Sequence, residues 1–224
     1  MADLRAVVFD WRGTLVTTLD GGSWVREALL CLGRDSSDEA VDQVWRAVLE
    51  AAGEPDRLDA PGVDSDLALH RDTYCGVFAD AGLDSELAGA LYAVESDPAH
   101  NQFAVDVEPV LRSVSAHGCR IAVLSDIHFD LRPVFGAAGL ADLVDVFVLS
   151  YEHGVQKPDP VIFRVALEGL GTCAGETLMV GDRASHDGAA VDVGMPVLLV
   201  PPLCDVAERR LHHVEALLGA PRRR

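Results

Sequence analysis

The chain has 224 residues, of which 49% are hydrophobic and 24% are charged, and its formal net charge is −18. This composition is typical of a globular α/β protein that carries, at most, a smaller inserted unit. The negative charge argues against nucleic acid as a partner, because affinity for nucleic acid depends on Lys and Arg residues that neutralise phosphates. We expect the excess of Asp and Glu to form a solvated surface.

Two features bear on the expected compartment. The five cysteines are widely separated and form no C-x-x-C pair, so they predict neither a disulfide framework nor a zinc site. The first apolar run stops at Asp10, too early for a signal peptide, and no run approaches the ~20 apolar residues of a membrane span. We therefore expect a cytoplasmic protein with no membrane contact, and we assign no function to the basic C-terminus at 222–224.

Short apolar, β-branched runs recur along the chain and predict buried strands. They are continuous rather than alternating, as expected when helices cover both faces of a parallel sheet. Helical spacing of apolar residues separates them, for example at 107–114, at 162–169 and, after Pro202, at 207–218. The fold class predicted is α/β, with a doubly wound, Rossmann-like parallel sheet. Its strands are predicted at residues 6–9, 120–124, 144–149, 177–180 and 196–200.

Residues 17–100 break this alternation, because they carry helical periodicity and almost no strand signal. Apolar stripes predict helices at 41–52, 67–81 and 87–94, separated by turns at 53–62 and 82–84. We interpret 17–100 as an all-helical cap domain inserted into an α/β core domain formed by 1–16 and 101–224. Trp45 and Tyr74 are expected mainly to pack inside the insertion.

Polar residues follow the predicted strands at their carboxyl ends, where open α/β sheets bind ligands. Asp10 ends the first strand and is followed by Gly13, which permits a tight turn. A carboxylate placed there can act as a nucleophile when a nearby cation offsets its charge. Ser125 and Asp126 end the second strand, where a hydroxyl and free backbone N–H groups suit phosphate oxygens.

Two further segments supply charged groups. Lys157 precedes Pro158, so its backbone is extended and lies outside the following helix. A lysine in this position can neutralise both a carboxylate and a phosphoryl group. Asp182 and Asp187 follow a strand around a turn, and two such carboxylates can converge on a hard cation such as Mg²⁺. Each segment alone is also compatible with ordinary turn and helix-cap residues.

Together these segments resemble the four signature segments of the haloacid dehalogenase superfamily, in the same order and over nearly the whole chain. The insertion lies where that superfamily carries a C1-type helical cap. The resemblance implies a hydrolase in which Asp10 is the nucleophile and forms a phospho-aspartyl intermediate, Ser125 binds the phosphoryl group, and Lys157 orients and neutralises. It also implies a Mg²⁺ cofactor, a small and phosphorylated substrate, and metal ligation by Asp10, the backbone carbonyl of Arg12, Asp182 and Asp187.

Position 12 departs from the D-x-D-G-T pattern of the first signature segment. In phosphatases of the superfamily this position holds a second Asp, which acts as the general acid and base, but here it is Arg12. Guanidinium stays protonated and cannot shuttle protons near neutrality. Loss of a general acid/base typically removes ~10² to 10⁴ in rate. Phosphatase turnover survives this loss if His128 or His186 supplies the proton shuttle.

Two other interpretations stay open at this point. A metal-independent 2-haloacid dehalogenase also lacks the second Asp, and Arg12 would then bind a substrate carboxylate or halide. A weakly active or regulatory protein is the other alternative, in which Arg12 pairs with Asp10 and reduces its nucleophilicity. Asp126, Arg12 and Trp11 are the expected substrate contacts beside Ser125. Metal-dependent phosphomonoester hydrolysis is the interpretation that the acidic pair favours.

Overall fold

A five-stranded, fully parallel sheet forms the centre of the protein, which we describe from a computed structural model for residues 4–218. The strand order is β3-β2-β1-β4-β5, so the chain builds one side of β1 first and then the other. This reversal places a topological switch point beside β1, where ligands bind in such sheets. The strands are β1 (Ala6–Phe9), β2 (Arg120–Ser125), β3 (Val146–Leu149), β4 (Thr177–Gly181) and β5 (Val197–Leu199).

The predicted α/β class and all five predicted strands are confirmed, with differences at their ends. The third strand begins at Val146 rather than at residue 144, because a short 3-10 helix, Ala141–Leu143, precedes it. Asp145 then turns its carboxylate to β2 and accepts a hydrogen bond from the backbone N–H of Ile121 at 2.8 Å. The Asp145 side chain thereby satisfies a backbone N–H of β2 just before β3 begins.

Helices cover both faces of the sheet, and the sheet separates the core into two apolar clusters. Residues of β1 alternate between them, with Val7 and Phe9 in one cluster and Ala6 and Val8 in the other. This alternation follows from the two-residue period of a strand, and it explains why the strand sequences are continuously apolar. The covering helices are α5 (Val107–Ala116), α6 (Arg132–Ala137), α7 (Ser150–His153), α8 (Pro160–Leu170) and α9 (His212–Leu218).

Four α-helices lie between β1 and α5 and enclose an apolar cluster of their own. Trp24 is at its centre: its indole N–H donates to the backbone carbonyl of Leu91, and its ring contacts those of Trp45, Tyr74 and Phe78. The N-cap of each of the four helices is an Asp or Ser, whose side chain accepts a hydrogen bond from a backbone N–H of the first turn. They are α1 (Gly21–Cys31), α2 (Asp38–Ala52), α3 (Leu67–Asp80) and α4 (Ser85–Glu95).

The segment between β5 and α9 differs from its predicted helix. Ala207 lies before α9, which begins only at His212. Buried Asp106 accepts the backbone N–H groups of Arg210 and Leu211, at 2.7 and 2.8 Å. The Arg210 guanidinium donates to the backbone carbonyls of Gly13 and other loop residues. These tertiary hydrogen bonds hold the segment as a loop across the core, where helical periodicity alone predicted a longer helix.

Two further observations concern the described residues as a whole. None of their helices combines the length and the apolar character needed to cross a bilayer. The five cysteines, all within residues 4–218, form no disulfide bond. The basic segment 222–224 lies outside the described residues.

Candidate active site

Lys157 connects two carboxylates at the carboxyl edge of the sheet. Its Nζ lies 2.6 Å from Asp10 Oδ1 and 2.6 Å from Asp187 Oδ1, and all three side chains are almost completely buried. Asp10 follows β1, whereas Asp187 begins the 3-10 helix Asp187–Val193 that follows β4. Residues separated by 147 and 30 positions in the chain therefore meet because their strands are parallel and end at the same edge.

The charges of this cluster shift the pKa of its members. Burial raises the pKa of Asp10 to about 7, against the opposing effect of Lys157 and with a further rise from Asp187. Burial by itself lowers the pKa of Lys157, but the charges of Asp10 and Asp187 outweigh it and hold that pKa above its ordinary value. Burial also raises the pKa of Asp182, and Asp187 adds to this rise. The cluster thus has more negative charge than its lysine compensates.

Asp182 lies directly across from Asp10. The Thr14 hydroxyl is 3.2 Å from Asp10 Oδ2 and 3.3 Å from Asp182 Oδ1, so it joins the two carboxylates. Gly13 passes close to Asp182 with φ of 77°, and a Cβ at this position would lie 2.4 Å from Asp182 Oδ2. Only glycine combines this backbone conformation with this approach.

The acidic cluster suits a hard divalent cation. Asp10, Asp182 and Asp187 each present a carboxylate oxygen, and these oxygens lie within 4.8 Å of one another. Oxygen donors are the ligands that Mg²⁺ prefers. Asp187 has both oxygens engaged, one with Lys157 and the other with the backbone N–H of Arg183 at 2.9 Å. Among the side chains of residues 4–218, only the Thr14 hydroxyl is hydrogen-bonded to Asp10 Oδ2 and Asp182 Oδ1, at the longer distances of 3.2 and 3.3 Å, so these two residues are the better placed to contact a cation while Asp187 holds Lys157.

Ser125 and Asp126 lie on the same edge. Ser125 is the last residue of β2, and its hydroxyl donates to the backbone carbonyl of Asp126 at 3.4 Å. Asp126 accepts the backbone N–H of Lys157 at 2.9 Å, and burial raises the pKa of its carboxyl group. One oxygen of Asp126 thus supports the Lys157 backbone, a positioning contact that the sequence pattern did not indicate.

Arg12 does not pair with Asp10, which corrects one of the interpretations drawn from the sequence. Its guanidinium forms a close ion pair with Glu95 and donates to the backbone carbonyl of Glu95 at 2.7 Å. It also donates to Asn101 at 3.3 Å and lies over the ring of Phe129. The side chain therefore ties the loop after β1 to the end of α4.

The expectation that Trp11 contacts the substrate is corrected as well, because its ring is fully buried. It packs against Phe103 and Phe135, with ring centroids 5.2 and 5.3 Å away. Asp10 lies at the site, whereas the Trp11 side chain belongs to the apolar cluster that also contains Phe9.

A cavity of about 470 Å³ opens above this edge of the sheet. The helical insertion contributes Asp59, Asp64, Tyr74 and Glu95 to its wall. No motif pointed to these four, which become neighbours of the site only through folding of the insertion. From the core, the cavity is lined by Asp10, Arg12, Ser125, Asp126, Lys157, Asp182 and Arg183.

Each of the three cations on this wall already has an acidic partner. Arg12 pairs with Glu95, Lys157 pairs with Asp10, and Arg183 donates twice to Asp59 at 2.8 and 2.6 Å. The Arg12 and Arg183 pairs both join the core to the insertion. Within residues 4–218, the cavity is thus acidic overall.

The two histidines considered as possible substitutes for the missing acid/base do not line the cavity. His128 is buried against His70, with ring centroids 3.6 Å apart. His186 contacts the Ser185 hydroxyl at 2.9 Å, and its Nε2 is 3.9 Å from Asp59. Neither is among the residues that line the cavity in the described part of the chain. Asp64 does line it, and burial together with Asp126 raises the pKa of Asp64 to about 7.

A family model described as a haloacid dehalogenase-like hydrolase matches residues 4–194. The chain belongs to the haloacid dehalogenase-like hydrolase family. Haloacid dehalogenase-like hydrolase domain-containing protein 3 of Danio rerio is 32% identical over 193 residues, which cover 82% of this chain and 79% of the relative. Phosphoglycolate phosphatase of Rhodospirillum rubrum is 28% identical over 198 residues, covering 88% and 79%. The family resemblance drawn from the signature segments is thereby confirmed.

Solved structures of this family include both reaction classes. A phosphatase from Thermococcus onnurineus superposes with a TM-score of 0.63 at 25% identity, covering 96% of this chain and 98% of that one. An L-2-haloacid dehalogenase from Xanthobacter autotrophicus gives 0.61 at 25% identity, covering 98% and 84%. The protein is accordingly a hydrolase with the Rossmann-like fold of this family, and its relatives include phosphatases.

Proposed function

We propose that the protein is a Mg²⁺-dependent phosphatase that hydrolyses a small phosphomonoester with Asp10 as nucleophile. The observation that supports this most directly is the contact of Lys157 with both Asp10 and Asp187 beside Asp182. We also propose that residues 17–100 act as a cap domain, since their helices supply one wall of the cavity.

In the proposed reaction, the Asp10 carboxylate attacks phosphorus and the substrate oxygen leaves, which produces a phospho-aspartyl intermediate. Lys157 lowers the repulsion between Asp10 and the anionic phosphoryl group. Ser125 lies at the end of β2, where its hydroxyl can bind a phosphoryl oxygen. Asp10 and Asp182 would hold Mg²⁺, which supplies electrostatic stabilisation of the transferring group. Water then hydrolyses the intermediate and releases phosphate.

Arg12 sets the kinetic character of this phosphatase. It cannot donate a proton to the leaving oxygen, and its guanidinium is directed at Glu95. We therefore expect rates to depend steeply on leaving-group acidity, with p-nitrophenyl phosphate much faster than alkyl phosphates. We also expect slow hydrolysis of the intermediate, because no base at position 12 activates water.

The test measures phosphate release from aryl and alkyl phosphates with Mg²⁺, together with mass-spectrometric detection of a phosphorylated Asp10 peptide. Asp10→Asn should abolish both signals. Arg12→Asp combined with Glu95→Gln restores an acid/base without placing two carboxylates together. It should raise alkyl phosphate turnover by ~10² to 10⁴ and flatten the leaving-group dependence. Undiminished phosphate release by Asp10→Asn would refute the proposal.

Dehalogenation is the second candidate function, supported by the similarity to the Xanthobacter enzyme. The role expected for Arg12 in it, binding of a substrate carboxylate, competes with the contact to Glu95. Halide release from a 2-haloacid in the presence of EDTA would establish this activity. A regulatory protein without turnover is distinguished from both by the absence of either product at high protein concentration.

A further inference from the structure

Asp64, His70 and His128 meet beside the cavity, and each presents one potential metal-ligand atom. These three atoms lie within 4.8 Å of one another. Asp64 belongs to the short 3-10 helix Val63–Ser65 and His70 to α3, both in the insertion, whereas His128 follows β2 in the core. The cluster thus joins the two parts of the protein. It does not share a residue with the acidic cluster around Asp10.

Each imidazole has one nitrogen engaged with a hydroxyl group. His70 Nδ1 is 3.2 Å from the Tyr92 hydroxyl, and His128 Nε2 is 2.9 Å from the Ser96 hydroxyl. The other nitrogens, His70 Nε2 and His128 Nδ1, have no hydrogen-bond partner among the described residues, although both side chains are more than nine-tenths buried. Buried polar atoms are rarely left without a partner, so these two require an explanation.

The charge states of the two rings favour ligation. Burial lowers the pKa of His70 to about 3 and that of His128 to about 4, so both are neutral near pH 7. A neutral imidazole whose second nitrogen is held by a hydrogen bond is the usual state of a metal-binding histidine. Two other charged groups face the rings: an Asp64 carboxylate oxygen lies 3.5 Å from His70 Nε2, and the charge of Arg12 adds to the lowering of both pKa values.

We propose that Asp64, His70 and His128 bind a divalent transition-metal ion of the Zn²⁺ class and thereby link the insertion to the core. Two imidazoles and one carboxylate are a donor set that suits Zn²⁺ and Co²⁺ and not Mg²⁺, which prefers oxygen ligands. Tyr92 and Ser96 orient the two rings from behind. Asp64, the carboxylate of this donor set, also lines the cavity.

Binding requires a modest local movement. Ligand atoms around a tetrahedral ion lie roughly 3.4 Å apart for bonds of about 2.1 Å, so the three groups must approach one another slightly. The rings of His70 and His128 now stack with an interplanar angle of 19°, whereas an ion lies in the plane of each ring that binds it. One ring must therefore turn, and His128 has the greater freedom because the opposite face of His70 is stacked on Tyr74.

In the experiment, metal-free protein is titrated with Co²⁺ while visible absorption is recorded. Mg²⁺ is present in excess so that it occupies the sites with oxygen ligands. One equivalent should give the bands of a site with nitrogen ligands. His70→Gln and His128→Gln should each weaken binding by more than about 100-fold, and Ser96→Ala by about 10- to 100-fold. Asp10→Asn should retain the site. The matched control is His212→Gln/His213→Gln, which removes an exposed pair with ring centroids 3.9 Å apart, and it should also retain the site.

A second measurement uses only the wild-type protein, so it does not depend on whether a variant folds. Zn²⁺ at a hundredfold excess over its dissociation constant should raise the Tm by about 5–10 °C in excess Mg²⁺. X-ray absorption of the zinc complex should show two histidine ligands. No Co²⁺ band, no rise in Tm, or loss of the band only in the His212/His213 control would each overturn the proposal.

Discussion

The contact between Arg12 and Glu95 predicts a strong energetic coupling between the loop after β1 and the end of α4. Arg12→Met removes one ion pair and two further hydrogen bonds, and it leaves Glu95 without a charged partner. Removing one partner of a fully buried ion pair costs about 3–5 kcal/mol. Because the two side chains are 22% and 19% exposed, water relieves part of that cost. We expect a loss of about 2–4 kcal/mol in the free energy of unfolding.

A double-mutant cycle separates the pair from its surroundings. Arg12→Met, Glu95→Gln and the double variant are unfolded in urea, and the coupling free energy is calculated from the three losses. Residues in direct contact typically give 0.5–3 kcal/mol, and we expect about 1–3 kcal/mol for this pair. The corresponding fall in Tm for Arg12→Met is roughly 4–15 °C.

An exposed pair provides the control for this cycle. Arg112 and Glu108 form an ion pair one helical turn apart, but their side chains are 59% and 57% exposed. Arg112→Met should therefore change the Tm only slightly, since exposed pairs contribute little. Losses that add for Arg12 and Glu95 within about 0.5 kcal/mol would refute the argument that this contact connects core and insertion energetically.

Three other predictions concern the acidic cluster. Lys157→Met should abolish phosphate release and lower stability by about 3–5 kcal/mol in urea unfolding, because it strands two buried carboxylates; wild-type-like turnover would contradict this. Gly13→Ala should lower the free energy of unfolding by about 1–3 kcal/mol and weaken Mg²⁺ binding measured by calorimetry, because its Cβ would overlap Asp182. Gly188→Ala is the control and should be nearly neutral, because a Cβ at residue 188 would have no atom within 4 Å. EDTA should stop phosphate release and added Mg²⁺ should restore it; release that persists in EDTA would exclude the metal-dependent mechanism.

The sheet and the acidic cluster were predictable because their signals are local. Each strand is a continuous apolar run, and Asp10, Ser125 and Asp182 come at or directly after the ends of three such runs. Parallel strands then bring these residues together without further information. Lys157 does not end a strand: it lies in a turn in which the Asp159 backbone N–H donates to the Gln156 carbonyl, and the hydrogen bond from its own backbone N–H to Asp126 holds it at this edge.

The insertion's contribution could not be predicted in this way. Asp64 reaches the cavity because its backbone N–H donates to Gln156 at 2.8 Å and its backbone carbonyl accepts from Ser150. These partners are 92 and 86 residues distant in sequence, and no periodicity connects them. Glu95 likewise meets Arg12 across 83 residues. Helical periodicity shows which face of a helix is apolar. It does not show which polar residue after that helix lies over the site in the folded protein.

The balance of charge in the cluster supports one of the two proposed reaction classes over the other. Asp10, Asp182 and Asp187 carry three potential negative charges and Lys157 compensates one, which leaves the charge that one divalent cation would neutralise. A metal-free reaction at carbon would have to admit a substrate carboxylate to this same uncompensated site. Arg12 and Arg183, the remaining cations on the cavity wall in the described chain, are held by Glu95 and Asp59. Lys157 compensates only one of the three carboxylates, so an anionic substrate approaches Asp10 more readily when a divalent cation is also bound, and this supports the proposed metal-assisted phosphoryl transfer over dehalogenation.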